Sequence, residues 1–112
     1  MSINKVILVG NVGRDPEVRY VEKKPLISLS LATTDPARKT ADGATVPEHT
    51  EWHRVVLWGA LAEYAEKYVR RGTRLYVEGK LRTRVWEDRN TIKHSVTEIV
   101  ADTIEILGRV TT

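Results

Sequence analysis

The sequence predicts an all-β fold in which five strands form a small barrel and one short helix lies between strands three and four. Most apolar residues follow the two-residue period of strands, and one segment has the helical period of about 3.6 residues. The 112 residues suffice for one compact domain. We therefore expect a single domain over residues 1–112.

The first two predicted strands differ in pattern. Residues 3–12 form a near-continuous apolar run that is followed by a turn, which is typical of a strand buried on both faces. Residues 26–33 alternate, with Ile27, Leu29 and Leu31 on one side and serines on the other. This alternation predicts a half-buried strand.

A loop and a helix interrupt the strands. Residues 35–47 contain two prolines, a glycine and no apolar period, so we expect a long, mobile loop. Residues 60–71 have helical spacing, and Gly72 suits the position after a helix end. Tyr64 and Tyr68 fall on the apolar side of this helix, where we expect them to pack.

Three further strands complete the prediction, at residues 50–59, 73–86 and 91–107. In the last of these the apolar parity changes between Val96 and Ile99, which predicts a β-bulge. Three strands, one helix and two strands is the element order of the partly open Greek-key barrel called the OB-fold. Other small barrels fit the same order.

Composition excludes several functional classes. The chain has no cysteine, hence no disulfide, cysteine-based zinc site or thiol nucleophile. No apolar run approaches the roughly 18 residues of a membrane span, and no signal-peptide pattern is present, so we expect a cytoplasmic protein with no membrane contact. No phosphate-binding loop or Ser/His/Asp arrangement is present. We expect no catalytic residue, metal or cofactor.

Positive charge is concentrated in one segment. The chain carries 18 Lys and Arg against 15 Asp and Glu, a net charge of +3. Residues 70–89 contain seven bases and three acids, whereas the rest of the chain is slightly acidic. This distribution suits a partner with closely spaced phosphates.

Aromatic and cationic side chains share one face of two predicted strands. In residues 50–59 the even positions include Trp52, Arg54 and Trp58, opposite the aliphatic side. In residues 73–86 the odd positions form an apolar face, and the even positions again alternate aromatics and cations. These are Arg74, Tyr76, Glu78, Lys80, Arg82, Arg84 and Trp86. Because aromatic rings stack on bases and cations hold phosphates, the pattern predicts a groove for a single nucleic-acid strand.

A competing interpretation places Trp52, Trp58 and Trp86 in the core or a subunit interface, because tryptophan is buried on average. Their shared position opposite the aliphatic residues favours base stacking. Tyr76 fits either a stacking role or a position between subunits, and the sequence does not separate the two.

Three segments match a known pattern. They read NKVILVGNVGRDPEVRY at residues 4–20, TEWHRVVLWG at 50–59 and YVEGKLRTRVW at 76–86. Through them the chain resembles the DNA-binding domain of bacterial single-stranded DNA-binding proteins over nearly its whole length. The resemblance implies an OB-fold homotetramer in the bacterial cytoplasm, associated with the nucleoid. It also implies sequence-independent binding and protection of single-stranded DNA in replication, recombination and repair.

The resemblance also implies residue roles. The stacking aromatics of the family fall on Trp52, Trp58 and Trp86. Its basic DNA contacts fall on Arg54, Arg71, Arg82 and Arg84, with a looser match at Arg19 and Lys80. His53 matches a position of subunit contact, and the strand at residues 3–9 matches the edge that pairs between subunits. With Tyr76, His53 is our candidate for the subunit interface.

The sequence departs from the family in two places. Residues 35–38 read DPAR where the family often has a further stacking aromatic, so we expect one stacking contact fewer. The chain stops at Thr112 without the acidic tail that recruits replication and repair proteins. We expect such partners only if a tail exists outside this chain.

Three alternatives remain open. A tailless, primosome-type interaction module would have its aromatic face covered by a partner and would bind DNA weakly. RNA binding uses the same stacking and phosphate contacts. A small nuclease would need clustered carboxylates for a divalent metal, which the sequence does not place on one strand face.

Overall fold

The computed structural model describes residues 1–109, which form eight strands and one helix. The strands are β1 (Val6–Val12), β2 (Glu17–Val21), β3 (Lys24–Asp35), β4 (Arg38–Lys39), β5 (Thr45–Val46), β6 (His49–Trp58), β7 (Thr73–Glu87) and β8 (Lys93–Arg109). The helix is α1 (Ala60–Tyr68). The domain expected over residues 1–112 includes residues 110–112, which lie outside the described part. No helix within residues 1–109 is long and apolar enough to span a membrane.

Five strands close into a barrel in the order β1, β7, β8, β6, β3. The ring closes where β3 pairs with β1, at Ala32 opposite Asn11. These pairings are antiparallel except for β6 with β8, which run parallel at Val55 and Ile99. Because α1 lies between the third and fourth barrel strands, the predicted all-β OB-fold is confirmed.

The core lies between the inward faces of the barrel strands. Alternate residues of β3, β6 and β7 are buried there, as their two-residue period predicts. They include Leu29, Leu31, Val55, Leu57, Leu75 and Val77. The helix covers one end of the barrel through Ala62 and Ala65.

The β7–β8 hairpin extends beyond the barrel. Pairing of β7 with β1 ends at Gly79, whereas pairing of β7 with β8 runs from Thr73 and continues up to Glu87. Leu81 and Val85 continue the apolar face predicted for β7, yet they are 50% and 66% exposed. Their period matches the prediction, but the hairpin has left the core that would bury them.

Two segments are more ordered than the sequence predicts. The turn expected after the first strand contains β2, which pairs with β3 through Val18 opposite Ile27. The loop expected at residues 35–47 contains the hairpin of β4 and β5. Gly43 lies at its turn with a φ of 86°, a conformation that suits glycine.

Three local predictions are wrong. The helix ends at Tyr68 because the next residue is extended. Tyr64 and Tyr68 are exposed and pack on each other, with ring centroids 5.0 Å apart, because small alanines supply the helix contacts to the core. The bulge expected between Val96 and Ile99 is absent, since β8 pairs continuously with β7 from Lys93 to Ala101.

Register shifts occur instead at Glu78/Gly79 and Arg74/Leu75. The parity change in β8 has another cause. Val96 lies opposite Arg84, whereas Ile99 is buried in the core. The strand therefore carries apolar residues on both of its faces.

Candidate nucleic-acid interface

A groove of about 610 Å³ crosses the outer side of the barrel. It is lined by side chains from β2, β3, β6, β7 and β8. Among them are six of the predicted DNA-binding residues: Arg19, Trp52, Arg54, Trp58, Arg82 and Arg84. The small β3 residues Ser28 and Ser30 line it, because Ser28 pairs with Val56 and Ser30 with Arg54, and paired residues project on the same face.

The three tryptophans lie outside the core. Trp52, Trp58 and Trp86 are 60%, 38% and 50% exposed. Val55 and Leu57, on the same strand as the first two, are fully buried. Their predicted position opposite the aliphatic residues therefore agrees with the structure, and indole surface is available to a ligand.

Trp52 lies directly over Gly13. A Cβ atom at residue 13 would fall 2.4 Å from Cζ3 of the indole, far inside van der Waals contact. The Gly13 backbone N–H donates to the Ser30 carbonyl at 2.9 Å, which holds this segment against β3. The next residue, Arg14, also lines the groove, and its Nη2 donates to the Ser30 hydroxyl at 3.3 Å.

Three arginines surround one buried carboxylate. The Glu98 side chain is 1% exposed, and its Oε1 accepts a hydrogen bond from Arg84 Nε at 2.8 Å. Arg54 Nε donates to Oε2 at 3.2 Å, and Arg82 Nη2 lies 3.5 Å from Oε1. The carboxylate thus fixes all three guanidinium groups side by side.

The charge state of this cluster follows from its contacts. Burial by itself raises the pKa of Glu98, but hydrogen bonds from Arg84 and Arg54 outweigh it and hold the pKa below its ordinary value. The carboxylate is therefore ionised at neutral pH, and the cluster carries a net charge of +2. Each guanidinium is about half exposed and keeps N–H groups free for an anion.

Trp86 lies at the far end of the β7–β8 hairpin. Its indole stacks on His94, with centroids 4.5 Å apart and planes 19° from parallel. His94 Nε2 lies 2.8 Å from Asp88 Oδ2, and this hydrogen bond is the main reason that the Asp88 pKa lies below its ordinary value. Sequence reasoning missed His94 and Asp88 because their pairing depends on the hairpin register.

Two further basic candidates lie outside the groove. Lys80 is exposed on β7, two residues before Arg82 on the same face. Arg71 is exposed in the turn after α1, where its backbone N–H donates to Asp15 Oδ1 at 2.8 Å. Both therefore add exposed positive charge outside the groove lining.

His53 and Tyr76 occupy different regions. The half-buried His53 lies at the groove, with Nε2 at 2.8 Å from the Thr33 hydroxyl. Tyr76 pairs with Val9 of β1, and its hydroxyl donates to Glu78. Glu78 also forms an ion pair of 2.9 Å with Lys5. Tyr76 therefore lies beside β1 and outside the groove.

Metal-ligating residues are scattered. Among residues 1–109 no group of three or more histidines or carboxylates is placed to hold a metal ion. The His49–Glu51 pair at 2.8 Å is exposed at the start of β6.

Comparisons with known proteins agree with this geometry. A family model described as the single-strand binding protein family matches residues 3–107. A single-stranded DNA-binding protein from Bacteroides thetaiotaomicron is 47% identical over 109 residues, which cover 96% of this chain and 68% of that protein. A solved structure of a Plasmodium falciparum SSB in complex with ssDNA superposes with a TM-score of 0.85 at 31% identity, covering 96% of this chain and 97% of that one.

Proposed function

The chain belongs to the single-strand binding protein family, and from this premise we propose that it binds single-stranded DNA without sequence preference along the groove. The observation that carries the proposal is the combination of exposed indoles with the Arg54, Arg82 and Arg84 cluster. Aromatic surfaces accept any base, and guanidinium groups accept the phosphates between bases. Protection of single strands in replication, recombination and repair follows from the family.

Each proposed contact has a distinct role. Trp52, Trp58 and Trp86 each stack on a base, at about 1–3 kcal/mol per base. Arg54, Arg82 and Arg84 hold phosphates. Arg19, Lys80 and Arg71 extend the positive path on either side of the groove. Proteins of this family are binding proteins, and we assign no catalytic step to this chain.

Proteins of this family form oligomers, and we propose a homotetramer. Ile7 and Val9 are exposed on β1 next to Tyr76, which supports a subunit contact there. His53 is the second proposed contact residue. Sedimentation that gives a monomer would contradict the assembly.

Because the relative from Bacteroides is bacterial, we propose action in the bacterial cytoplasm, at the nucleoid.

A tryptophan-fluorescence titration with oligo-dT, at low and high salt, tests the binding function. We expect strong quenching by oligo-dT, weaker binding as salt rises, and little response to duplex DNA of matched length. Competition with oligo-U ranks DNA against RNA. Absence of quenching would contradict base stacking and favour an interaction module whose aromatic face a partner covers.

A further inference from the structure

The Trp86 indole has two faces in different surroundings. His94, its cross-strand partner on β8, covers one face with nearly parallel rings. Beyond Gly79, the pairing of β7 within the described chain is with β8, so no neighbouring strand lies on the other side. Half of the Trp86 surface is exposed. The uncovered face is therefore the one that a base can reach.

The hairpin turn fixes His94. Asp88 Oδ1 accepts backbone hydrogen bonds from Asn90 at 2.8 Å and Ile92 at 3.0 Å, which lock the carboxylate in the turn. Its Oδ2 faces His94 Nε2. Because an ionised carboxylate only accepts hydrogen bonds, Nε2 is the donor. Turn, imidazole and indole thus form one connected unit.

We propose that His94 is a positioning residue for DNA binding: anchored by Asp88, it supports one face of Trp86 and presents the opposite face to a base. The inference rests on the proposed function. A side chain that is ordered before binding loses less conformational entropy when the ligand arrives. Hairpin side chains have no core beneath them, so this support replaces packing.

Charged and aromatic groups surround the His94 ring. Asp88 faces it from the turn, and the indole face of Trp86 attracts a cation. Arg84 is the next residue on the same face of β7, but its guanidinium is paired with Glu98.

A double-mutant cycle on oligo-dT affinity tests the positioning role. We expect His94→Ala to weaken binding about threefold to tenfold at an unchanged melting temperature. His94→Phe keeps a ring against the indole and should bind within about twofold of the parent chain. In a Trp86→Ala background, His94→Ala should have no further effect. Parental affinity in His94→Ala, or an equal loss in both backgrounds, would overturn the proposal.

A DNA-free measurement tests the stack itself. In a Trp52→Phe, Trp58→Phe background, Trp86 is the remaining indole of the chain's three. We expect its emission to fall as His94 becomes protonated, because an imidazolium in contact with indole quenches it. His94→Phe should remove this pH step. His49→Ala is the matched control, since His49 is paired with Glu51 at the start of β6, and it should leave the step unchanged.

The two measurements separate the possible failures. A pH step that persists in His94→Phe would refute the stack. A parent chain that binds oligo-dT while His94→Ala binds equally well would refute the positioning role alone. A parent chain that fails to bind oligo-dT would refute the proposed function, and the positioning role with it.

Discussion

The barrel and the β7–β8 hairpin position their groove-side residues by different means. At the barrel, Arg54 of β6 contacts Glu98, which is buried against the core, and Arg84 reaches back from the hairpin to the same carboxylate. On the hairpin, Trp86 depends on His94 across the strand, next to aliphatic residues that remain exposed. Substitutions on the barrel should therefore change stability and binding together, whereas substitutions on the hairpin should change binding alone.

The largest expected effect is on the barrel. Glu98→Gln removes the negative charge that holds three guanidinium groups, and we expect a loss of about 1–3 kcal/mol in the free energy of unfolding, because the arginines stay half solvated. Chemical denaturation measures it. Glu87→Gln, at the exposed end of β7, is the control and should change little.

The parent chain and Glu98→Gln can also be compared as a function of pH. Because the Glu98 pKa is lowered in the folded state, its contribution to stability is present above the ordinary value of 4.5 and is lost as the pH falls through the folded pKa. The stability difference between parent and Glu98→Gln should therefore be constant near neutral pH and shrink below about pH 4.5. A difference that grows on acidification would contradict this assignment.

The next largest effect distinguishes two tryptophans. Trp86→Ala should weaken oligo-dT binding by about 1–3 kcal/mol and leave the melting temperature unchanged, since the indole packs on one exposed ring. Trp52→Ala should weaken binding similarly but also lower the melting temperature slightly, because this ring covers Gly13. Anisotropy of a fluorescently labelled oligo-dT, which does not use tryptophan emission, measures the binding, and calorimetry measures the melting temperature. Equal stability losses would remove the contrast between barrel and hairpin.

Gly13→Ala tests the contact between Gly13 and Trp52 by adding a methyl group rather than removing a side chain. Its methyl group would collide with Trp52, so the indole must move, and we expect about 1–2 kcal/mol of destabilisation together with weaker DNA binding. In a Trp52→Ala background the collision disappears. A stability loss that is the same in both backgrounds would point to the backbone instead.

The smallest effect concerns Lys80, where the hairpin leaves the barrel. It is exposed, and no described hydrogen bond or ion pair fixes its side chain. Lys80→Ala should reduce the magnitude of the salt slope of log K by about 0.7, the value for one phosphate contact to a single strand. Thermal stability should stay within about 0.5 kcal/mol of the parent. An unchanged slope would exclude Lys80 from the DNA path.

The sequence predicts what depends on local periodicity. Alternation along β6 and β7 suffices to place Trp52, Arg54 and Arg84 away from the core, and the order of elements suffices for the barrel. Glu98 and His94 escape prediction because their roles arise from cross-strand register: His94 lies opposite Trp86, 8 positions away, and Glu98 lies opposite Arg82, 16 positions away. A lone acid within the apolar stretch of residues 96–101 is the signal that could have identified Glu98.

Periodicity also fails to predict burial where an apolar face of a strand or helix has nothing packed against it. Leu81 and Val85 have the pattern of core residues, and Tyr64 and Tyr68 lie at helical spacing with apolar neighbours. Each pair is exposed, because the hairpin extends past the barrel and the helix contacts the barrel through alanines. Whether an apolar face is covered depends on tertiary arrangement, which spacing alone does not contain.

Closure of the barrel has a consequence for how the chain folds. β1 pairs along most of its length with β7, where Val6 meets Gly79, so its partner is synthesised long after it. Most of the sheet therefore rests on contacts between distant parts of the sequence, a topology that folds on a timescale of roughly milliseconds to seconds. During translation β1 stays without this partner until β7 has left the ribosome, and until then its apolar residues form an unpaired edge of the kind that is prone to aggregation.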